Sequence, residues 1–168
     1  MAAEIINGQL LAKKFRENMK NEIAELKQNG LTPHLTVILI GDDPASHSYV
    51  RGKEKASAEV GISSEIIRMD RAVDQKTLLT KIAELNKDDS VHGILVQLPL
   101  PKHIEEQKVI EAIDPAKDVD GFHPINIGRM IVGQDAFLPC TPYGIIEMLK
   151  SKNIEIEGKH VVVMGRSN

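Results

Sequence analysis

The α/β character of this chain follows from the stretch Leu35-Thr36-Val37-Ile38-Leu39-Ile40-Gly41-Asp42-Asp43-Pro44. Its apolar run from residue 35 to residue 40 is typical of a strand that is covered on both faces. Asp43 and Pro44 form an N-cap and first-turn pair, which predicts a helix to about Val60 with Gly61 behind it. A buried strand followed at once by a helix is the repeating unit of α/β folds.

The same alternation continues on both sides of this stretch. Upstream, apolar residues recur every three or four positions and predict an amphipathic helix that ends near Gly30; they are Leu11, Phe15, Met19, Ile23 and Leu26. Downstream, we expect strands at 62–69 and 93–97, followed by helices at 74–86 and 104–113 respectively. The sequence therefore predicts an α/β domain with a mostly parallel sheet and flanking helices.

The end of the sequence predicts the start of a second unit. Thr141 and Pro142 suggest another N-cap and first-turn pair that opens a helix. Residues 161–164 have the composition of a buried strand and lead into Gly165, as at the beginning of a dinucleotide-binding βαβ unit. The helix and second strand of such a unit do not follow, so we expect a piece of a longer protein. Residues 161–164 should then lack strand partners, and be frayed or paired with another molecule.

Composition excludes several classes of function. Apolar residues make up 42% of the chain and aromatic residues 3%, which predicts an aliphatic core. The formal net charge of −3 provides no basic surface for nucleic acid or a membrane. We find no apolar stretch of the ~20 residues that a membrane span needs, no signal peptide and no histidine pair at metal-ligand spacing. The single cysteine, Cys140, indicates a reducing, cytoplasmic setting and is expected to be a small buried side chain.

Residue spacing singles out a few polar side chains. Tyr49 and Lys53 are four positions apart and share a helix face, so they could form an acid/base pair. On spacing alone, a packed tyrosine beside solvated lysines is the commoner outcome. Gln97 lies at the carboxyl end of a predicted strand, where ligands bind in open α/β sheets, although loop backbone could equally satisfy its amide.

A polar loop from residue 114 to residue 124 is a natural place for a site. Asp118 and Asp120 are two positions apart, so in an extended loop they would point to opposite sides. They are therefore poor candidates for a shared metal ion or a carboxylate dyad. Either could instead stabilise a helix N-terminus or a turn, which is the commoner role of aspartate in such loops.

Five strings occur in order along the chain: Tyr49-Val50-Arg51-Gly52-Lys53, Val96-Gln97-Leu98-Pro99-Leu100-Pro101, Lys117-Asp118-Val119-Asp120-Gly121-Phe122-His123-Pro124, Pro139-Cys140-Thr141-Pro142 and Gly165-Arg166-Ser167. Together they resemble the bifunctional methylenetetrahydrofolate dehydrogenase (NADP⁺)/methenyltetrahydrofolate cyclohydrolase family, and match its N-terminal part. The resemblance implies oxidation of 5,10-methylenetetrahydrofolate by NADP⁺. It also implies hydrolysis of the methenyl product to 10-formyltetrahydrofolate at the same site.

The resemblance also implies roles for individual residues. Lys53 would be the catalytic group that activates water, Gln97 would hydrogen-bond it, and Tyr49 would pack against the folate rings and support the lysine. Asp120 would accept hydrogen bonds from the N–H edge of the pterin. Gly165, Arg166 and Ser167 would begin the cofactor loop, in which the arginine and serine meet the ribose phosphate of NADP.

The resemblance divides the chain into a folate-binding catalytic domain at 1–141 and the truncated start of a Rossmann NADP-binding domain at 142–168. It implies a cytoplasmic homodimer in one-carbon metabolism, serving purine, histidine and methionine biosynthesis. Two alternatives remain open: a folate-binding fragment without turnover, and a single-activity, NAD-linked dehydrogenase. We expect residues 1–168 alone neither to bind NADP measurably nor to oxidise the substrate, because most of a nucleotide fold is missing.

Overall fold

The computed structural model describes residues 4–165. Its elements are α1 (Gly8–Gln28), β1 (His34–Ile40), α2 (Pro44–Val60), β2 (Ser63–Met69), α3 (Gln75–Lys87), β3 (Gly93–Val96), α4 (Glu106–Ala112), α5 (Pro124–Ile131) and α6 (Cys140–Lys150). The strands form a parallel sheet in the order β2-β1-β3. The predicted α/β class with a mostly parallel sheet and flanking helices is confirmed.

The central strand β1 is covered on both faces, which explains its unbroken apolar sequence. Ile38 and Ile40 pack into a core formed mainly by residues of α3, β3 and α4. Val37 and Leu39 point to the other face, where they pack against Val50 of α2. Because side chains alternate along a strand, each face of the sheet receives every second residue of β1.

Local signals fix both ends of α2, as predicted. The Asp43 side chain accepts a hydrogen bond of 2.7 Å from the backbone N–H of Ser46, so it caps the helix that Pro44 begins. Gly61 ends the helix in the left-handed conformation, with φ at +92°. These caps set which residues of α2 face the sheet.

The loop after α4 is pinned to the open edge of β3. The backbone N–H of Ile94 donates to Lys117 O at 2.8 Å, and Ile94 forms a parallel bridge with Asp118. A Cβ on Gly93 would lie 2.6 Å from Cγ1 of Val119, so only a glycine allows this close approach. The loop therefore reaches the carboxyl edge of the sheet at a fixed position.

The predicted first helix is confirmed as α1, although its apolar face is only partly covered, since Phe15 and Met19 each remain 39% exposed. Three other features differ from what the sequence predicts. The short helix α5 was not predicted. Helix α6 begins at Cys140 rather than after a Thr141 cap, because Tyr143 N donates to Pro139 O and brings residue 141 inside the first turn. The predicted strand at residues 161–164 is wrong for the described part of the chain, where these residues form no strand.

Candidate functional site

Helix α2 carries Tyr49 and Lys53 one turn apart. Tyr49 is 66% exposed, so its ring is not packed against the core as the commoner interpretation of the spacing would have it. Lys53 is half-buried and lies deeper along the helix. An exposed aromatic ring beside a partly buried amine offers both a stacking surface and a group that can transfer protons.

Gln97 contacts Lys53 directly. Lys53 Nζ donates to Gln97 Oε1 at 3.2 Å, and Gln97 Nε2 donates to the carbonyl of Leu98 at 2.8 Å. The second hydrogen bond fixes the amide orientation, so that the oxygen rather than the nitrogen faces the amine. Gln97 is also two positions after Leu95, whose side chain packs against α2. Because side chains alternate along a strand, Gln97 lies on the same face. The contact implied by the resemblance is present.

Asp120 lies close enough to Lys53 for the two charges to interact. Burial raises the pKa of its carboxyl, the nearby Lys53 ammonium acts in the opposite direction, and Asp118 adds a smaller increase. A partly desolvated carboxylate with no hydrogen-bond donor from residues 4–165 is available to accept N–H groups from a ligand.

Asp118 occupies a different environment from Asp120. It is 2% exposed and accepts hydrogen bonds from the backbone N–H of Gly121, the backbone N–H of His123 and Nδ2 of Asn126. Its lone pairs are therefore used inside the protein. The structure separates the two carboxylates as the sequence predicted, with Asp118 in the interior and Asp120 toward the amine.

Cys140 was expected to be buried, and this is wrong. The cysteine is exposed, and its thiol donates to Val119 O at 3.4 Å. Partial desolvation raises the pKa of the thiol, Asp120 adds to this increase, and the Lys53 ammonium opposes it. Cys140 thus borders the cleft as an uncharged thiol at neutral pH. The two residues before it, Leu138 and Pro139, lie against Gly121, a contact that no local pattern reveals.

A cavity of about 410 Å³ opens at the carboxyl edge of the sheet, and sequence reasoning did not identify it. Its lining comes from the end of β1, the start of α2 and the segment after Gln97: Ile40, Gly41, Asp42, Asp43, Pro44, Arg71, Pro99, Leu100 and Pro101. This is the edge at which open parallel sheets bind their ligands.

The predicted cofactor residues lie at the end of the chain. Gly165 lies outside any helix or strand, and Arg166 and Ser167 lie outside the described residues. Within residues 4–165, no three side chains of His, Cys, Asp or Glu come together as metal ligands would. None of the helices in the described part of the chain has the length and apolar composition needed to cross a membrane.

Comparison with known proteins places these residues in a family. Residues 6–120 match the catalytic domain of tetrahydrofolate dehydrogenase/cyclohydrolase, and residues 139–168 match its NAD(P)-binding domain. The chain belongs to the tetrahydrofolate dehydrogenase/cyclohydrolase family. The division at 141/142 remains a prediction.

Relatives of this family member are similar over nearly all of its sequence. The bifunctional protein FolD of Oceanobacillus iheyensis is 62% identical over 166 residues, which are 99% of this chain and 58% of that protein. The same protein from Geobacillus thermodenitrificans is 62% identical over 168 residues, which are 100% of this chain and 59% of that protein. The chain therefore spans less than two thirds of the length of these relatives.

Solved structures of the family have the same fold. The FolD methylenetetrahydrofolate dehydrogenase/cyclohydrolase of Campylobacter jejuni has a TM-score of 0.97 and 47% identity, covering 99% of this chain and 59% of that one. The Trypanosoma brucei enzyme, complexed with NADP cofactor and inhibitor, has a TM-score of 0.94 and 35% identity over 99% of this chain and 58% of that one.

Proposed function

We propose that the protein carrying this chain oxidises 5,10-methylenetetrahydrofolate to 5,10-methenyltetrahydrofolate with NADP⁺, and hydrolyses the methenyl form to 10-formyltetrahydrofolate. The observation that carries the proposal is the Lys53–Gln97 hydrogen bond, with Asp120 close enough to interact with the lysine, in a chain that belongs to this family. The names of the relatives, which include both activities, support it.

Asp120 is proposed to hold the pterin. Its carboxylate can accept two N–H groups from one edge of a heterocycle, a geometry that gives charge-assisted hydrogen bonds. Partial burial strengthens these bonds, because fewer water molecules compete for the carboxylate. The exposed ring of Tyr49, one turn before Lys53, would lie against the folate rings and exclude water from that side.

Lys53 is proposed to activate water in the hydrolytic step. A neutral amine can take a proton from the water as its oxygen attacks the cationic methenyl carbon, and can later return a proton to the ring nitrogen that leaves. Gln97 Oε1 accepts one N–H of Lys53 and so orients the amine without supplying charge.

NADP⁺ would accept the hydride in the oxidative step. Gly165 would begin the loop that holds the cofactor phosphate, and the match of residues 139–168 to an NAD(P)-binding domain supports this role. Arg166 and Ser167 would supply the guanidinium and hydroxyl for the ribose phosphate.

A cytoplasmic homodimer that provides one-carbon units for purine, histidine and methionine biosynthesis belongs to the same proposal. Family membership supports it, together with the single cysteine of the chain. Light scattering on the full-length protein tests the dimer.

Two assays on the purified full-length protein test the proposed reactions. We expect reduction of NADP⁺ in the presence of methylenetetrahydrofolate, and accelerated hydrolysis of methenyltetrahydrofolate. Tetrahydrofolate without its one-carbon group is the control and should give no reduction. Two results would favour a single-activity dehydrogenase instead. One is reduction of NAD⁺ but not of NADP⁺, and the other is no acceleration of methenyltetrahydrofolate hydrolysis.

A further inference from the structure

The proposed chemistry leaves one buried carboxylate without a role. Asp118 accepts hydrogen bonds from Gly121 N at 3.1 Å, from His123 N at 2.8 Å and from Asn126 Nδ2 at 2.9 Å. Two of these donors are backbone groups of the turn that follows Asp120, and the third is a side chain of α5. The turn is therefore built around this carboxylate, since a buried charge is stable only when it is fully hydrogen-bonded.

Asn126 connects the carboxylate to the helix behind it. The residue is 1% exposed, and its Nδ2 group also donates to Pro115 O at 2.9 Å. The Nδ2 group of Asn126 thus donates to two points of the loop, the carbonyl of Pro115 and the carboxylate of Asp118. Its Oδ1 atom has no hydrogen-bond partner in the described residues, so the amide nitrogen makes the hydrogen bonds of this side chain there.

The backbone on either side of Asp120 has little freedom. Gly121 N donates to the backbone carbonyl of Asp118 at 3.2 Å as well as to its side chain. Gly121 has φ at +70°, and a Cβ there would lie 2.5 Å from the carbonyl carbon of Leu138. Asp120 is therefore held between a fixed carboxylate on one side and a close backbone contact on the other.

We propose that Asp118 and Asn126 are positioning residues that set where the Asp120 carboxylate meets the pterin. Neither touches the substrate; both act by fixing the turn on which Asp120 is carried. The inference rests on the proposed role of Asp120 in folate binding. The physical basis is that a buried hydrogen-bond network, here that of Asp118 and Asn126, can hold a binding side chain in a single geometry.

Asn126→Asp in the full-length protein tests the proposal. The substitution keeps the shape of the side chain but turns an acceptor oxygen toward Asp118 in place of the donor. We expect the KM for methylenetetrahydrofolate to rise about tenfold, the size of one lost hydrogen bond to a charged group, while the KM for NADP⁺ stays unchanged. Asn86→Asp is the matched control, because this half-buried amide bonds Ala112 O and Asp114 N, away from the turn. It should leave both constants near wild type.

A double-mutant cycle with Asp120→Asn separates positioning from a general loss of stability. If Asn126 acts through Asp120, the rise in folate KM caused by Asn126→Asp should disappear in the Asp120→Asn background. Equal rises in both backgrounds, or no rise in either, would overturn the positioning role while leaving the role of Asp120 intact. An Asp120→Asn variant with normal folate KM would instead overturn the role of Asp120, and the inference with it. If Asn126→Asp does not fold, the same cycle with Asp118→Asn decides the question.

Discussion

Lys53 of α2 and Gln97 after β3 lie 44 positions apart in the sequence, and a hydrogen bond of 3.2 Å joins Nζ of the first to Oε1 of the second. The pair brings a helix face and a strand end to one point at the carboxyl edge of the sheet. Because Gln97 Nε2 donates to Leu98 O, the protein's own backbone orients the acceptor oxygen. The arrangement is thus pre-organised for an amine that has to be aimed at a reacting atom.

Removal of this acceptor should weaken hydrolysis without removing the amine. Gln97→Met is expected to lower the rate of methenyltetrahydrofolate hydrolysis by about 10- to 100-fold, the range for one hydrogen bond to a charged group. Gln107→Met is the matched control, because that glutamine is exposed on α4 and hydrogen-bonds Glu111 of the same helix region. Steady-state hydrolysis rates of the two variants make the measurement, and equal rates would contradict the role of Gln97.

The two carboxylates of the loop should differ in their effect on stability. Asp118→Asn places an amide opposite three donors and should lower the free energy of unfolding by about 1–3 kcal/mol. Asp120→Asn should leave stability unchanged or raise it, because it removes a partly desolvated charge, and it should weaken folate binding. Thermal unfolding beside folate titration distinguishes them, and a stability loss in Asp120→Asn as large as that in Asp118→Asn would refute the difference.

The raised pKa of Asp120 gives this stability difference a pH dependence. A carboxyl whose pKa is higher in the folded state favours folding while it is protonated, and this contribution is lost as the pH rises through the folded pKa. The advantage of Asp120→Asn over the natural protein should therefore be largest at neutral pH. It should vanish below the ordinary aspartate value of 3.8. Unfolding curves of both proteins over this range provide the check, and a difference that grows on acidification would have the wrong sign.

The close contact at Gly121 should make it intolerant of a side chain. Gly121→Ala imposes a left-handed conformation on alanine and also places a Cβ within 2.5 Å of Leu138 backbone. We expect a loss of about 2–5 kcal/mol, the sum of the conformational cost and overpacking. Gly133→Ala is the control: φ there is +74° with no atom within 4 Å, so only the cost of about 1–2 kcal/mol for the conformation should remain. Comparable unfolding midpoints for the two variants would show that the contact is unimportant.

Local signals explain how much of the fold could be predicted from the sequence. The β1–α2 unit contains its own apolar run, a cap at Asp43 and a terminating glycine. Each of its boundaries can therefore be predicted from a few neighbouring residues. Helix α5 was not predicted because its cap is unusual. The His123 ring accepts the Ile125 N–H through Nδ1, a role that serine, threonine, aspartate or asparagine commonly fills.

Features that depend on distant parts of the chain were less predictable. Cys140 is exposed next to residues 138–139, whose contact with Gly121 sequence spacing does not reveal. Residues 161–164 have strand composition, yet their exposure reaches 94% at Met164, because a strand requires a hydrogen-bonding neighbour and none of the described residues provides one. The polar residues of the site were found through the family resemblance, since spacing alone favoured ordinary packing for Tyr49.

Hydrolysis of methenyltetrahydrofolate by Lys53→Met in the full-length protein tests the central claim most directly. Methionine keeps much of the length of the side chain but cannot carry a proton, so the rate should fall by ~10²–10⁴-fold, the usual effect of removing a general acid/base. Lys55→Met, two positions along on the exposed part of the same helix, should keep the wild-type rate. A Lys53→Met protein that is folded and hydrolyses its substrate as fast as Lys55→Met would contradict the assignment of this cleft as the catalytic site.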